Sequence, residues 1–160
     1  MRKAVTVRVY IPTDIRGVRA ALEGKPLTVT SAWAVTSELL ETYGVAADDE
    51  ELGESIAMAL AAAASRLSNS GVRAPRRVVI AVDAEEVSPS IDENSHQPGR
   101  VHLARPVTLA DVVSMHMDAG PYAAPEADEL DDVMHLQWYD ISELDHILST
   151  LGHDQEAEGN

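Results

Sequence analysis

Cysteine and phenylalanine are absent from this 160-residue chain, and lysine occurs only at Lys3 and Lys25. The absence of cysteine excludes disulfides, thiolate ligands for a metal ion and a cysteine nucleophile. The absence of phenylalanine leaves valine, leucine and isoleucine to build the core, and we expect Trp33 and Trp138 to be its largest members.

Long apolar runs and familiar catalytic motifs are also missing. No stretch approaches the ~18 apolar residues of a membrane span. The N-terminus lacks the apolar segment of a signal peptide, so we expect a cytoplasmic protein that does not contact membranes. The chain has no glycine-rich phosphate loop, no dinucleotide fingerprint, no serine-hydrolase elbow and no H-E-x-x-H zinc motif. These absences favour a protein that is not an enzyme, without excluding one.

Charge is divided unevenly along the chain. Residues 1–82 carry ten basic and nine acidic side chains, whereas residues 83–160 carry two basic and eighteen acidic ones, a net charge of −16. All six histidines also lie in the second stretch. An acidic surface of this kind argues against direct nucleic-acid binding, which needs a basic footprint, and favours a basic partner.

Hydrophobic periodicity predicts strands that alternate with helices along the chain. The expected order is β-α-β-α-α-β, then a polar loop at 84–99, then two strands, a short helical segment, a strand and a final helix. We predict an α+β fold: one layered domain over 1–152, with a mixed sheet of about six strands packed against three to five helices. Residues 153–160 are expected to form a frayed acidic tail.

Local signals predict several boundaries. Thr13, Thr36 and Asp48 are the expected helix caps, the last paired with Glu51 at capping-box spacing. Two strands are expected at Leu27–Val35 and Val112–Asp118, the second with Val113, Met115 and Met117 facing the core. The basic residues Arg73, Arg76 and Arg77 are interpreted as a solvated loop.

A series of short segments, each weak alone, resembles a known family when taken in order. The chain resembles a family of uncharacterised actinobacterial proteins of about this length, from its first strand to its last helix. The resemblance implies a bacterial, cytoplasmic origin and carries over no activity and no site residues. The segments are Val7–Pro12, Trp33–Thr36, Asp48–Leu52, Pro75–Val79, Val113–Asp118 and Gln137–Asp140.

Three strands of the acidic half each place one histidine on their polar face. Side-chain alternation puts His116 and Asp118 opposite the apolar face of one strand, and His102 and His135 occupy equivalent positions on two others. If these strands are neighbours, the four side chains could bind Zn²⁺ or another divalent ion and activate a water for hydrolysis. The alternative interpretation, an ordinary solvated sheet face with no cofactor, is favoured.

The densest acidic run lies between the last two predicted strands. It is typical of a solvated face or of a docking surface for a basic partner, and it lacks the ligand spacing of a calcium loop. Our leading hypothesis is a non-enzymatic interaction protein that binds a basic protein partner through its acidic half. The alternatives are the metal-dependent hydrolase and a homo-oligomer with Trp33 or Trp138 at its interface. The run comprises Glu126, Asp128, Glu129, Asp131 and Asp132.

Overall fold

A computed structural model describes residues 6–27, 32–68, 76–85, 87–89, 97–118 and 136–143, together with 146 and 149. Three helices and seven strands lie in these ranges. The helices are α1 (Ile15–Leu22), α2 (Ser37–Tyr43) and α3 (Glu50–Ser68). The strands are β1 (Val7–Thr13), β2 (Ala32–Ala34), β3 (Val78–Ala84), β4 (Val87–Pro89), β5 (Arg100–Leu103), β6 (Val112–Asp118) and β7 (Leu136–Tyr139).

The strands form one sheet in the order β4-β5-β2-β1-β3-β6-β7. Every pairing among the described strands is antiparallel, rather than mixed as predicted. The α+β prediction itself is confirmed. The longest pairing joins β1 to β3, and the next longest joins β3 to β6. The most extensive pairing therefore lies in the middle of the sheet.

Helices cover both faces of the sheet and create two cores. One core lies on the α1 side and contains Val18 of that helix packed on Val9, Ile11 and Ile80 of the central strands. The other lies on the α2–α3 side, where Leu39 and the alanines of α3 pack on Tyr10 and Trp33. Alanine adds little bulk, so α3 can approach the sheet closely. Successive residues of a strand point to opposite faces of the sheet, so each central strand supplies side chains to both cores.

Helix ends agree only partly with the predicted caps. Thr36 caps α2 as expected, accepting from the Leu39 amide at 3.1 Å, and Gly44 ends the helix at φ 65°. Asp14, not Thr13, caps α1 through the Gly17 amide at 2.9 Å. Asp49, not Asp48, accepts from Leu52 in the first turn of α3. The errors are single-residue displacements between neighbouring residues that can both cap a helix.

Several strand predictions also need correction. Leu27 forms an isolated bridge with Val107, and β2 covers Ala32–Ala34 of the predicted Leu27–Val35 strand. Residues 28–31 of that prediction lie outside the described residues. The expected loop at 84–99 contains β4, which pairs with β5. Val113 is exposed, because a register shift between β3 and β6 moves it out of the inward-facing series.

The C-terminal part of α3 is joined to the sheet by a buried serine. Ser65 is fully buried; its hydroxyl donates to the Thr13 carbonyl and accepts from the Val78 amide at 3.0 Å. One side chain therefore connects α3 to the end of β1 and the start of β3. None of the helices in the described ranges is long and apolar enough to cross a membrane.

Candidate functional site

A groove of about 240 Å³ lies along the flank of α3, where the helix passes over the sheet. We call it the α3 groove. Its helix side is formed by the N-terminal half of α3, and its sheet side by β1, β3, β6 and β7. The helix contributes Glu51, Glu54, Ser55 and Met58, and the sheet contributes Arg8, Tyr10, Ala81, Ser114, His116 and Trp138.

Strand register explains why these side chains share one face. Tyr10 pairs with Ala81, Ala81 pairs with Ser114, and His116 pairs with Trp138. Directly opposed residues of an antiparallel pair project to the same side. The small Ala81 lies between Tyr10 and Ser114 on this face.

A serine and a histidine lie on the β6 side of the groove. The Ser114 hydroxyl is 3.2 Å from His116 Nε2, and Ser114 is buried whereas His116 is half-buried. Burial lowers the pKa of His116 from its ordinary value of 6.5, so the ring is mainly neutral at pH 7. A serine and a neighbouring base can form a nucleophile, but the base is normally oriented by a third group. Among the described residues no carboxylate hydrogen-bonds His116.

Tyr10 lines the groove beneath an acidic rim. Only 4% of the residue is exposed, and no hydrogen bond joins its hydroxyl to any other described residue. Burial, reinforced by the charge of Glu54, raises the pKa of Tyr10 to about 12. The hydroxyl is therefore protonated at neutral pH and is available to a ligand both as donor and as acceptor. Glu51 and Glu54 are exposed above it.

Arg8 is the basic residue of the groove and already has a partner. Its Nε donates to Asp83 Oδ1 at 2.7 Å, and its Nη2 lies 3.4 Å from Oδ2 of the same carboxylate. This hydrogen bond raises the pKa of Arg8 further above its ordinary value. With Arg8 balanced by Asp83, Glu51 and Glu54 leave the groove with negative charge.

Trp138 corrects a prediction. It was expected in the core, but it is 59% exposed on β7. The reason is that α3 packs mainly against β1, β2 and β3, so the β7 end of the sheet extends beyond the helix. Trp33, the other tryptophan, is buried beneath the helices as predicted.

The structure does not bring the predicted metal ligands together. His102 is exposed on β5 and His116 lies on β6, and three strands separate β5 from β6. Four inter-strand spacings place these histidines about 19 Å apart, far beyond the reach of one ion. His135 lies outside the described residues. Within the described ranges, no group of three or more histidine or acidic side chains could hold a metal ion.

Asp118, the fourth predicted ligand, has its carboxylate hydrogen-bonded to an arginine. Arg77 Nη2 donates to Asp118 Oδ1 at 2.6 Å, and its Nε and backbone amide donate to Oδ2 at 3.0 and 2.7 Å. Arg76 Nη1 donates to the Asp118 carbonyl at 3.3 Å. All three residues are buried, so the interpretation of Arg76 and Arg77 as a solvated loop is wrong. Arg73 lies outside the described residues.

The remaining predicted site residues form the acidic run between β6 and β7. The acidic run at Glu126, Asp128, Glu129, Asp131 and Asp132 lies outside the described residues. Sequence reasoning did not identify Tyr10, Glu54 or Trp138 as groove residues. They come from three distant segments and carry no motif, so no local signal could have grouped them.

A second depression of about 290 Å³ lies near the β3 and β5 ends. Its charged residues have partners within the chain: Arg105 pairs with Glu85 at 3.0 Å, and Asp111 accepts from the Thr108 amide at 2.9 Å. It offers fewer uncommitted polar groups than the α3 groove, which is therefore the stronger candidate site.

Comparison with known proteins gives one match. The profile of a family described as "Family of unknown function (DUF6912)" matches residues 7–148, most of the chain. No curated protein and no solved structure matches.

Proposed function

We propose that this chain, which belongs to the DUF6912 family of unknown function, is a non-enzymatic interaction protein that binds a basic protein partner through its acidic half. The observation that carries the proposal is the net charge of −16 over residues 83–160. This value already includes the two basic residues of that half. Arg105 pairs with Glu85, and Arg100 is half-buried in β5.

The negative charge of the acidic half supports recognition of a basic partner. Complementary potentials accelerate encounter with a basic surface and disfavour acidic competitors, and salt weakens both effects. The Glu126–Asp132 run is the proposed main contact, because it concentrates five acidic side chains in seven residues.

The test is capture of a partner by the immobilised full-length protein. We expect a basic protein to be retained at about 50 mM salt and released at about 500 mM, where the Debye length falls from about 14 Å to about 4 Å. Changing the run to Glu126→Gln, Asp128→Asn, Glu129→Gln, Asp131→Asn and Asp132→Asn should abolish retention. A matched control removes five charges from the other half: Glu23→Gln, Glu38→Gln, Glu41→Gln, Asp48→Asn and Glu50→Gln. Equal loss in both variants would contradict the role assigned to the run.

The metal-dependent hydrolase makes a different prediction that a separate measurement checks. Native mass spectrometry of protein purified without chelator, with and without added Zn²⁺, reports any bound ion directly. An increment that chelation removes and that His116→Ala abolishes would favour the hydrolase over the interaction protein.

A further inference from the structure

We infer that the α3 groove is the binding site for an arginine side chain of the basic partner, held between Glu54 and the indole of Trp138 above the Tyr10 hydroxyl. The inference rests on the proposed function and adds a second contact with the same partner, besides the Glu126–Asp132 run. The glutamates of the groove come from α3, whereas Ser114, His116 and Trp138 belong to the acidic half. It is carried by the size, the charge and the hydrogen-bonding groups of the groove.

The size of the groove suits a single side chain. Sites for substrates and cofactors usually measure about 300–1,000 Å³, and the α3 groove, at about 240 Å³, falls below this range. It is also accessible from the β7 side, where Trp138 is 59% exposed. A side chain presented by a protein surface fits such a groove better than a free small molecule.

Charge favours a cation. Glu51 and Glu54 line the helix side, and Arg8 is balanced by Asp83 at 2.7 Å. The exposed indole of Trp138 adds an electron-rich face, on which a guanidinium can stack. An anionic ligand would meet the two glutamates and gain nothing from the ring.

Hydrogen-bonding groups favour arginine over lysine. The guanidinium presents five N–H donors in one plane, so it needs several acceptors arranged around it. Glu54 offers a carboxylate, Tyr10 offers a hydroxyl oxygen that is hydrogen-bonded to no other described residue, and Ser114 offers a second hydroxyl oxygen. Tyr10 is 4% exposed, so a ligand that reaches its hydroxyl must enter the groove. The compact, strongly hydrated ammonium of lysine would use fewer of these acceptors and stack less well.

The test uses a blocked ten-residue peptide of alternating arginine and serine, with its lysine–serine counterpart, and the full-length protein. The chain has two tryptophans, so its ¹H–¹⁵N spectrum has two indole N–H signals, and Trp138→Phe identifies the one from Trp138. We expect the arginine peptide to shift the Trp138 signal and to bind more tightly than the lysine peptide. Glu54→Gln should raise the Kd about 10-fold or more, since it removes a charge-assisted hydrogen bond.

Glu41→Gln is the matched control. Glu41 is exposed on α2 outside the groove, and its substitution removes the same charge. Its Kd should stay within about twofold of the wild-type value if contact is local. The amide spectrum of each variant verifies that the fold is retained.

The outcomes separate the two proposals. If the arginine peptide binds but leaves the Trp138 signal in place, and Glu54→Gln and Glu41→Gln weaken it equally, the groove inference is overturned and the interaction proposal stands. If neither peptide binds the wild-type protein at low salt, the interaction proposal itself fails. A Trp138 shift that Glu54→Gln alone suppresses establishes the groove as the site.

Discussion

Strand β6 carries three polar side chains on one face and puts them to different uses. Asp118, at the end of the strand, is buried and bound by Arg77 through three hydrogen bonds. Ser114 and His116 project from the same face of the strand but line the α3 groove. Alternation gives the three residues one orientation, so the neighbouring strand decides their role. Beside Asp118 lies Arg77, the residue just before β3, whose carbonyl accepts from the Asp118 amide, and beside Ser114 lies the small Ala81 of β3.

The comparison teaches that a polar strand face need not be a solvated one. Here one face supplies both a buried ion pair and an open groove within five residues. Each role can be tested by a substitution that should leave the other intact.

The largest effect is expected at the Asp118 end. Asp118→Ala should lower the free energy of unfolding by about 3–5 kcal/mol, because it leaves the buried Arg77 guanidinium without its carboxylate. Urea unfolding followed by circular dichroism measures the loss. The double variant Arg77→Met with Asp118→Leu should recover much of it, since no buried charge is left unpaired. A loss below about 1 kcal/mol, the value typical of exposed pairs, would contradict the burial of this pair.

A pH-dependent effect is expected from His116. Burial lowers its pKa below 6.5 in the folded protein, so below about pH 6.5 the unfolded chain binds the proton more readily. Stability should therefore fall as the pH drops from about 7 towards 5, and His116→Gln should reduce that fall. Urea unfolding at several pH values provides the measurement.

The matched control for this titration is His102→Gln, which changes an exposed histidine outside the groove. It should retain the acid-induced loss of the wild-type protein. The same pH profile for His116→Gln and wild type would mean that His116 does not titrate as its burial requires.

The smallest effect is expected at the open side of the groove. Trp138→Phe should change the free energy of unfolding by less than about 0.5 kcal/mol, since it alters a largely exposed ring. Trp33→Phe, at the buried tryptophan, should cost more because it leaves a cavity in the core. Thermal unfolding of the two variants compares them. Equal losses would mean that Trp138 also packs as a core residue.

Sequence patterns predicted most of the regular elements because each has a local signal. The α2 cap at Thr36, the end of that helix at Gly44 and the apolar run of β3 all follow from residues close together in the chain. Strand β4 escaped prediction because it is three residues long and ends in Pro89, and proline is usually a sign against a strand. Its position at the end of the sheet order is where proline is tolerated.

The candidate site was predicted only in part. The place of His116 on the polar face of its strand was predicted from alternation, and Ser114 shares that face because it lies two residues earlier. The pairing of β6 with β3, and of β3 with β1, places Tyr10 near them, and the packing of α3 on the sheet adds Glu54. Strand order and helix packing are long-range properties without a local pattern. The predicted convergence of His102 with His116 failed for the same reason, because β2, β1 and β3 lie between their strands.

The Ser65 connection gives α3 a fixed point far from the groove. Glu54 lies eleven residues before Ser65 along the helix, an arm of about 16 Å, so a rotation of about 4° about that point displaces Glu54 by about 1 Å. The Ser65 hydroxyl therefore contributes to the position of the helix that carries Glu54. Ser65 does not line the groove, so one of the contacts that hold its helix side in place lies outside the reach of any ligand bound there.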